Sequence, residues 1–264
     1  MRLSATILGI WVIMALGGNL GSLEPNRVAL EAIFTPPSAA HWLGADELGR
    51  PVLDRLLAGA GVSLMVAVVS VTLSATIGIA VGLMAGYFGG LADRLISRLI
   101  EVFLAFPGML LAIAMAAMIG PGLDNVIIAL SAMGWVGYAR LVRIQVLALR
   151  QRDHVLAATA LGRTAPAIMR QHLLPLVMAP VWVEASFGLA GAVVAEAGLS
   201  FLGLGIQPPD ASWGSMIRDG VRYLLVAPHL VLAPGVALFL VVLAANLFGD
   251  ALRDRLDVTL RNRP

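Results

Sequence analysis

The chain alternates long apolar runs with shorter polar stretches, and this alternation is the strongest pattern in the sequence. About 20 consecutive apolar residues are needed for a helix to cross the hydrocarbon core of a bilayer. A spanning segment must also satisfy its own backbone hydrogen bonds, and the runs lack the alternation of barrel strands. We therefore predict six transmembrane helices, over residues 3–23, 62–86, 102–119, 126–147, 176–202 and 227–249.

The first apolar run begins directly after Met1 and Arg2, as the apolar region of a secretory signal peptide would. It is longer than such a region, and Gly17-Gly18-Asn19 is a poor cleavage site. We expect the run to be retained as a first span, with a signal peptide as the alternative.

Composition supports a membrane protein. Hydrophobic residues make up 59% of the 264 residues, and charged residues only 13%. Soluble domains carry about 25% charged residues, so this chain has too little charge to cover a water-soluble fold. We expect an all-α polytopic membrane protein with no separate soluble domain. The net charge of +2 gives no support for nucleic-acid binding.

The supply of reactive side chains argues against an enzyme. Cys is absent, which excludes disulfides, thiolate metal sites and Cys nucleophiles. The four His lie on different loops and at the entrance of a span, without the spacing of a metal site. No Gly-x-Ser-x-Gly hydrolase motif occurs. We expect no catalytic residue and no metal site in this chain.

All 18 basic residues are Arg, and their distribution predicts the orientation, because cytoplasmic loops are enriched in basic residues. If the N-terminus is cytoplasmic, 13 of the 18 fall on inner segments or the inner ends of spans. The other five are on outer segments, at Arg27, Arg50, Arg55, Arg218 and Arg222. Both termini are therefore predicted to be cytoplasmic.

The same topology divides the chain into three parts. Residues 1–61 form the first span and an outer loop, and residues 62–250 form a membrane core. Residues 251–264 form a cytoplasmic tail. An inner loop at residues 150–175 interrupts the core between the fourth and fifth spans.

This inner loop is predicted to form two short helices at the cytoplasmic surface. The first is expected to begin with Asp153 as its N-cap and to end before Gly162. Pro166 suits the first turn of the second helix, which is expected to stop at Pro175.

The exposed face of the inner loop is expected to combine small and apolar side chains, namely Leu156, Ala157, Ala158, Ala160, Leu161 and Ile168. One interpretation is an interfacial linker held by anionic lipid. The other is a docking surface, on which the Ala residues let a partner protein approach closely. The residues alone leave both interpretations open.

Residues 154–162, followed by His172-Leu173-Leu174-Pro175, resemble the Glu-Ala-Ala loop of the membrane subunits of ABC importers. In that family a Gly follows the Glu-Ala-Ala sequence four residues on, and a Leu-Pro pair comes later. The matching residues are Ala157, Ala158, Gly162, Leu174 and Pro175. Leu156 stands where the family usually has Glu, a departure that affects any salt bridge from that position.

Further stretches are similar to the dipeptide, oligopeptide and nickel class of these importers. They follow in the same order, with consistent spacing, from about Trp42 to the C-terminus. The stretches are 43–50, 85–90, 104–107, 199–209, 212–214 and 249–254.

The resemblance implies a permease with the fold of type I ABC importers in the bacterial inner membrane, and it implies partners. They are a second homologous permease, two cytoplasmic ATPase subunits and an extracytoplasmic solute-binding protein. The inner loop would be the coupling helix that docks on an ATPase, through Leu156, Ala157, Ala158, Leu161, Gly162, Leu174 and Pro175.

Docking of the solute-binding protein would fall on the outer loops. Asp46, Glu47 and Arg50 are the candidate residues. The alternative is that the stretch Gly49-Arg50-Pro51 caps the helix that enters the second span.

The resemblance also predicts where the nucleotide binds. Because the chain has no Lys, it cannot contain the Gly-x-x-x-x-Gly-Lys-[Ser/Thr] loop that cradles phosphates. ATP and Mg are therefore expected on the partner ATPases, with no cofactor on this chain.

Substrate and mechanism keep alternatives at this stage. Short peptides are the default substrates of the class, and nickel or other small solutes are the alternative. A rival from a different class is an ion-coupled secondary transporter that uses Glu184 and Glu196, against which the absence of an inverted repeat weighs. A scaffold protein without a pathway is a third possibility.

The second predicted span carries small residues at every fourth position, which places them on one helical stripe. Small residues at this spacing allow close helix approach in membranes. We predict a packing face, within the chain or against the partner permease, formed by Ser70, Ser74, Gly78, Gly82 and Gly86.

The fifth predicted span carries a second stripe at the same spacing, formed by Glu184, Gly188, Ala192, Glu196 and Ser200. The two Glu lie about 18 Å apart along the axis, too far for a catalytic carboxylate pair. Our hypothesis is that the stripe lines the translocation path, with Glu196 meeting a cationic group of the substrate. The alternative is a buried Glu that accepts hydrogen bonds from a neighbouring helix.

Overall fold

The computed structural model describes residues 2–17, 23–39 and 41–256. Over these ranges the chain forms helices joined by turns and loops, without a strand, which confirms the all-α fold. The helices are α1 (Arg2–Gly17), α2 (Val52–Phe88), α3 (Gly90–Leu104), α4 (Gly108–Ile119), α5 (Leu123–Leu149), α6 (Asp153–Ala160), α7 (Ala165–Ile168), α8 (Leu174–Phe201), α9 (Trp213–Val221) and α10 (His229–Leu256).

Four helical segments of the described chain are long and apolar enough to cross a membrane, namely α2, α5, α10 and the stretch Ala165–Phe201. Together, α3 and α4 make a fifth candidate that is bent by 86° at the break between them. The apolar helix α1 has 16 residues, and residues 18–22 of the first predicted span lie outside the described residues. The multi-pass architecture is confirmed, whereas the count of six spans is not.

The third predicted span, 102–119, is wrong as a single straight helix. α3 ends at Leu104 and α4 begins at Gly108. Pro107, immediately before α4, has ψ 119° and is outside the helical region. Proline lacks the N–H that a helix interior needs, and it also disfavours helical backbone in the residue before it. The break therefore separates the amphipathic α3 from the apolar α4.

The second span begins earlier than predicted. α2 starts at Val52, so the preceding loop ends at Pro51 and not at Gly61. With 37 residues, α2 is about 55 Å long, which exceeds the hydrocarbon core of about 30 Å. Its first turns therefore have the length to extend beyond the membrane and to hold the loops at that end.

The loop between α5 and α8 forms two short helices, α6 and α7. Gly162 between them has φ +76°, a conformation that suits glycine. Pro166 lies in the first turn of α7. The expected cap is wrong, because Arg152 is the N-cap of α6, without a side-chain bond, and Asp153 is already helical.

The helix that starts at Ala165 does not stop at Pro175, contrary to the prediction. It passes through the proline and continues to Phe201. Immediately before the proline, Met169–Leu173 is a π-helical turn. In such a turn the hydrogen bonds join residues five apart, which gives room for the proline ring. The ladder at this point also does not need the N–H that proline lacks. The loop is therefore continuous with α8.

Two apolar cores lie toward opposite ends of the bundle, which we call the α9 end and the α6 end. At the α9 end, Trp213 is fully buried and donates its indole N–H to the carbonyl oxygen of Leu56 at 3.0 Å. At the α6 end, Val146, Ile168 and Leu173 are fully buried in one cluster. Between the two cores, α2 packs along α5 and also contacts α8.

Candidate functional site

The small residues of α2 lie against α5 of the same chain. A Cβ on Gly82 would come within 2.6 Å of the carbonyl oxygen of Ala139, and one on Gly86 within 2.7 Å of Val146 Cβ. Real side chains do not tolerate such distances, so the two backbones approach as closely as glycine allows. The stripe in this interface consists of Ser70, Ser74, Gly78, Gly82 and Gly86, all of them buried.

Glu196 is fully buried, and both of its carboxylate oxygens accept hydrogen bonds. Ser63 Oγ of α2 donates to Oε2 at 3.0 Å, and Ser200 Oγ of α8 donates to Oε1 at 2.8 Å. Ser200 Oγ in turn accepts from the backbone N–H of Ile206 at 3.2 Å. These contacts match the alternative of a buried Glu bound to a neighbouring helix. A path-lining role for Glu196 and Ser200 stays a prediction.

Glu184 lies in a different environment on the same helix. A cavity of about 800 Å³ lies between α4 and α8 and is also lined by α2, α5 and α10. Glu184 is half-buried, and it is the one charged residue among the described residues that line this cavity. Within the described part of the chain, its carboxylate has neither a hydrogen bond nor an ion pair.

Two further polar groups of the cavity lining lack partners. Tyr138 of α5 is only 4% exposed, and its hydroxyl has no hydrogen-bond partner among the described residues. The same holds for Ser70 Oγ of α2. Buried polar groups are nearly always hydrogen-bonded, so each such group needs an explanation.

The candidate residues for outer docking form a compact ion-pair cluster before α2. Asp46 and Arg50 are 6% and 7% exposed, and Arg50 Nε lies 2.6 Å from Asp46 Oδ2. Glu47 pairs with Arg50 at 3.0 Å, and Arg55 Nε lies 3.5 Å from Asp46 Oδ2. The cluster fixes the turn that leads into α2, in line with the capping alternative. A docking role for Asp46, Glu47 and Arg50 stays a prediction.

The predicted coupling residues of the inner loop divide into exposed and buried ones. Leu156, Ala157 and Leu161 are exposed, with Leu161 at 84%. Ala158 is buried with Val155, three residues before it on the same helix face. Ile168 is fully buried in the same cluster, so the expectation that Ala158 and Ile168 are exposed is wrong. The other members of the set are Gly162 and Pro175, which are exposed, and Leu174, which is half-buried.

No group of three or more His, Asp or Glu side chains that could hold a metal ion occurs in the described ranges. The structure nevertheless brings two distant histidines together at the α6 end. The ring centroids of His154 and His172 are 6.3 Å apart, a pairing that the sequence analysis did not predict. Two histidines without a third ligand do not make a structural metal site.

Residues 78–262 match the model of a protein family described as the inner membrane component of binding-protein-dependent transport systems. The match covers well over half of the chain. The chain belongs to this family. As an inner membrane component, it is a multi-pass membrane subunit of a transport system and not a catalytic subunit.

Curated relatives of this inner membrane component are similar over most of their length. The chain is 43% identical over 226 residues to the dipeptide transport system permease protein DppC of Alkalihalophilus pseudofirmus, covering 86% of this chain and 74% of the relative. It is also 43% identical over 236 residues to the glutathione transport system permease protein GsiD of Salmonella typhimurium, covering 89% and 78%. The predicted resemblance to ABC importer permeases is confirmed.

A solved structure shares the fold. The inward facing MetNI methionine ABC transporter superposes with a TM-score of 0.62 at 22% identity, covering 78% of this chain and 98% of that chain. At this level of identity the likeness concerns the fold alone, and it confirms the ABC importer-like architecture.

In the folded structure of this membrane component, the residues of the two predicted stripes are divided between a cavity and a buried hydrogen-bond network. Ser74 of the α2 stripe and Glu184 of the α8 stripe line the same cavity, whereas Glu196 and Ser200 belong to a closed network. The sequence analysis missed Tyr138 of α5, although a tyrosine in the middle of an apolar run is a usable signal. It also missed Asn246 of α10, which lines the same cavity.

Proposed function

We propose that the chain is one of two permease subunits that together form the translocation path for short peptides in an ATP-driven importer. The relatives named for dipeptide transport and for glutathione transport support peptides as the substrate class. The observation that carries the coupling part of the proposal is an exposed apolar surface on a firmly anchored loop.

The inner loop is anchored to the bundle at both of its ends. Arg150, at the end of α5, donates Nη1 to the carbonyl oxygen of Gly86 of α2 at 3.1 Å. Val155 and Ile168 are buried in the cluster at the α6 end. The loop then leads into α8 as one continuous helix, Ala165–Phe201. A displacement of α6 would therefore move α8, which lines the cavity.

The exposed face of α6 suits a protein partner. Leu156 and Leu161 are large apolar side chains with 54% and 84% of their surface exposed. A Cβ on the neighbouring Gly162 would meet nothing within 4 Å. Apolar groups presented together in this way are typical of interaction surfaces. We assign the coupling surface, formed by Leu156, Ala157 and Leu161, to a cleft of a cytoplasmic ATPase.

The other components belong to the same proposal. A second homologous permease completes the path, two cytoplasmic ATPases bind ATP and Mg, and an extracytoplasmic solute-binding protein delivers the peptide. This chain binds no cofactor of its own. Both termini are cytoplasmic, since 13 of the 18 Arg then lie on the inner side. The permease core extends from the start of α2 at Val52 to residue 250, preceded by α1 and its loop and followed by the tail 251–264.

The coupling surface is tested by Leu161→Asp, which places a charge in an apolar contact. In membranes that contain the whole importer, we expect ATPase co-purification and ATP-dependent dipeptide uptake to fall at least about tenfold, because a buried unpaired charge is costly. Leu225→Asp is the matched control, since Leu225 is 99% exposed on the loop between α9 and α10. It should leave ATPase co-purification unchanged.

Two results would contradict the proposal. One is full ATPase association and full uptake with Leu161→Asp, which would assign the loop to a lipid-bound linker. The other is dipeptide uptake that persists without the ATPases and follows an ion gradient, which would favour a secondary transporter.

A further inference from the structure

The cavity between α4 and α8 has an unusual chemical lining. Most of its wall consists of Gly, Ala and larger apolar side chains. Its volume of about 800 Å³ falls within the range of small-molecule sites, about 300–1,000 Å³. Against this apolar background stand a few polar groups that accept hydrogen bonds, from Tyr138, Glu184 and Asn246.

Among the described residues, no cationic side chain pairs with the carboxylate of Glu184. No Arg or His is among the described residues that line the cavity. Glu184 lies ten residues after Leu174, the first residue of α8, and therefore about 15 Å into the helix. Carboxylates at such depth are normally paired or face a water-filled path. A cationic occupant of the cavity would supply the counter-charge that the described residues lack.

Two other residues of the cavity lining, Tyr138 and Asn246, carry groups that can accept hydrogen bonds. The Tyr138 hydroxyl is buried and without a partner among the described residues, and a Cβ on Gly188 would lie 2.5 Å from it. Only glycine at position 188 therefore leaves room for the hydroxyl, which packs against α8. The Asn246 amide N–H₂ donates to the carbonyl oxygen of Val242 at 2.9 Å, while the amide oxygen can still accept.

Glu196, the other carboxylate of α8, does not fit this role. Ser63 and Ser200 already donate to its two oxygens, and the side chain is fully buried. The cavity lining includes neither Glu196 nor the two serines.

We propose that Glu184, Tyr138 and Asn246 form a subsite for a protonated primary amine, the N-terminal ammonium group of the peptide substrate. An ammonium group carries three donors and no acceptor, which matches a lining that offers one carboxylate and the neutral acceptors of Tyr138 and Asn246, besides the hydroxyls of Ser70 and Ser74. The small residues along α8 leave space for varied peptide side chains. The proposal rests on the proposed function, since it names how the permease itself contacts a peptide.

The test uses the importer assembled from both permeases and both ATPases, without the solute-binding protein. Substrate selection by the binding protein then does not contribute to the result. The probe is a dipeptide with a free N-terminus and a benzophenone side chain, which can label Met109 and Met133 of the cavity lining. Competition by an unlabelled dipeptide is compared with competition by its N-acetylated form. In the natural protein we expect the free amine to compete at least about tenfold better, because charge-assisted hydrogen bonds are strong.

Three variants of this importer separate the subsite from a structural role. Glu184→Gln should reduce the preference for the free amine to within about twofold, whereas Glu184→Asp should retain most of it. Glu101→Gln is the control, because Glu101 is an exposed carboxylate that pairs with Arg98 outside the cavity. It should leave the preference unchanged.

The outcomes distinguish this inference from the proposed function. If Glu184→Gln keeps the full preference for the free amine over the N-acetylated dipeptide, the amine subsite is overturned. The permease assignment is tested separately, and ATP-driven peptide uptake by the natural protein would support it. Loss of the second permease during purification of the Glu184→Gln variant would also overturn the amine subsite. That result would show that the Glu184 carboxylate of the natural protein pairs with the second permease. Absence of any ATP-dependent peptide uptake by the natural importer would overturn the proposed function itself.

Discussion

The two carboxylates of α8 lie about 18 Å apart along its axis and, at 3.6 residues per turn, about 120° apart around it, and they meet opposite environments. Glu196 is sealed, with a hydroxyl donor on each oxygen. Glu184 borders a cavity of about 800 Å³ and has no donor in the described part of the chain. The helix supplies the position of each residue, and the neighbouring helices decide what each residue can do.

The contrast extends to the residues around each carboxylate. The sealed region is held by contacts between helices, from the α2–α5 interface to Ser63 and Glu196. The open region includes small residues, such as Gly191, at which an added Cβ would meet nothing within 4 Å. Substitutions of the same type in the two regions should therefore have unequal consequences.

The largest difference is expected between Gly82→Leu and Gly191→Leu. A Cβ at Gly82 would lie 2.6 Å from the carbonyl oxygen of Ala139, and a backbone atom cannot yield as a flexible side chain does. Overpacking typically costs about 1–3 kcal/mol and occasionally more; because the clash here is with a backbone atom, we expect the upper end of this range and little folded Gly82→Leu protein. A Cβ at Gly191 would meet nothing within 4 Å. Gly191→Leu should accumulate normally but transport poorly.

Both variants are measured as the amount of monodisperse protein after extraction from membranes, together with uptake per folded molecule. Equal yields for Gly82→Leu and the natural protein would show that α2 and α5 are not in this close contact. Loss of folded Gly191→Leu would show that the cavity is filled by a partner surface instead of being open.

The α2 stripe shows what the sequence alone can predict. A spacing of four residues was sufficient to place the small residues on one face, and hydropathy was sufficient to assign an all-α membrane protein. The facing helix could not be predicted from this pattern, because nothing in α2 identifies Ala139 or Val146 as its neighbours.

Glu196 shows what the sequence alone cannot predict. Its partner Ser63 is 133 residues away in the sequence, so no local pattern marks it as satisfied. The sharp bend at Pro107 and the passage of α8 through Pro175 have a similar origin. In each case a proline signals a local constraint, and the surrounding packing decides whether the helix bends or continues.

A smaller difference is expected between Glu196→Ala and Glu184→Ala. Glu196→Ala leaves the hydroxyls of Ser63 and Ser200 unsatisfied and opens a void, which together should lower the free energy of unfolding by about 2–4 kcal/mol. Glu184→Ala removes no hydrogen bond or ion pair in the described chain and should change the free energy of unfolding by less than about 0.5 kcal/mol. Thermal unfolding of the two purified variants in the same detergent measures the difference. Equal losses would show that Glu184 has a structural partner.

The smallest difference, and the finest test of the comparison, is between Ser63→Ala and Ser70→Ala. Both serines lie on α2 and are nearly fully buried, at 0% and 2% exposure. Ser63 Oγ donates to Glu196, whereas Ser70 Oγ has no partner among the described residues. Removing the Ser63 hydroxyl leaves one oxygen of a buried carboxylate without its donor and should cost about 1 kcal/mol. Ser70→Ala removes a buried hydroxyl that has no hydrogen bond. The unfolding temperature of this variant should therefore equal or slightly exceed that of the natural protein. A lower unfolding temperature for Ser70→Ala than for Ser63→Ala would contradict this prediction. It would mean that the hydrogen bond from Ser63 contributes little to the stability of the buried Glu196, and that Ser70 has a hydrogen-bond partner in the cavity.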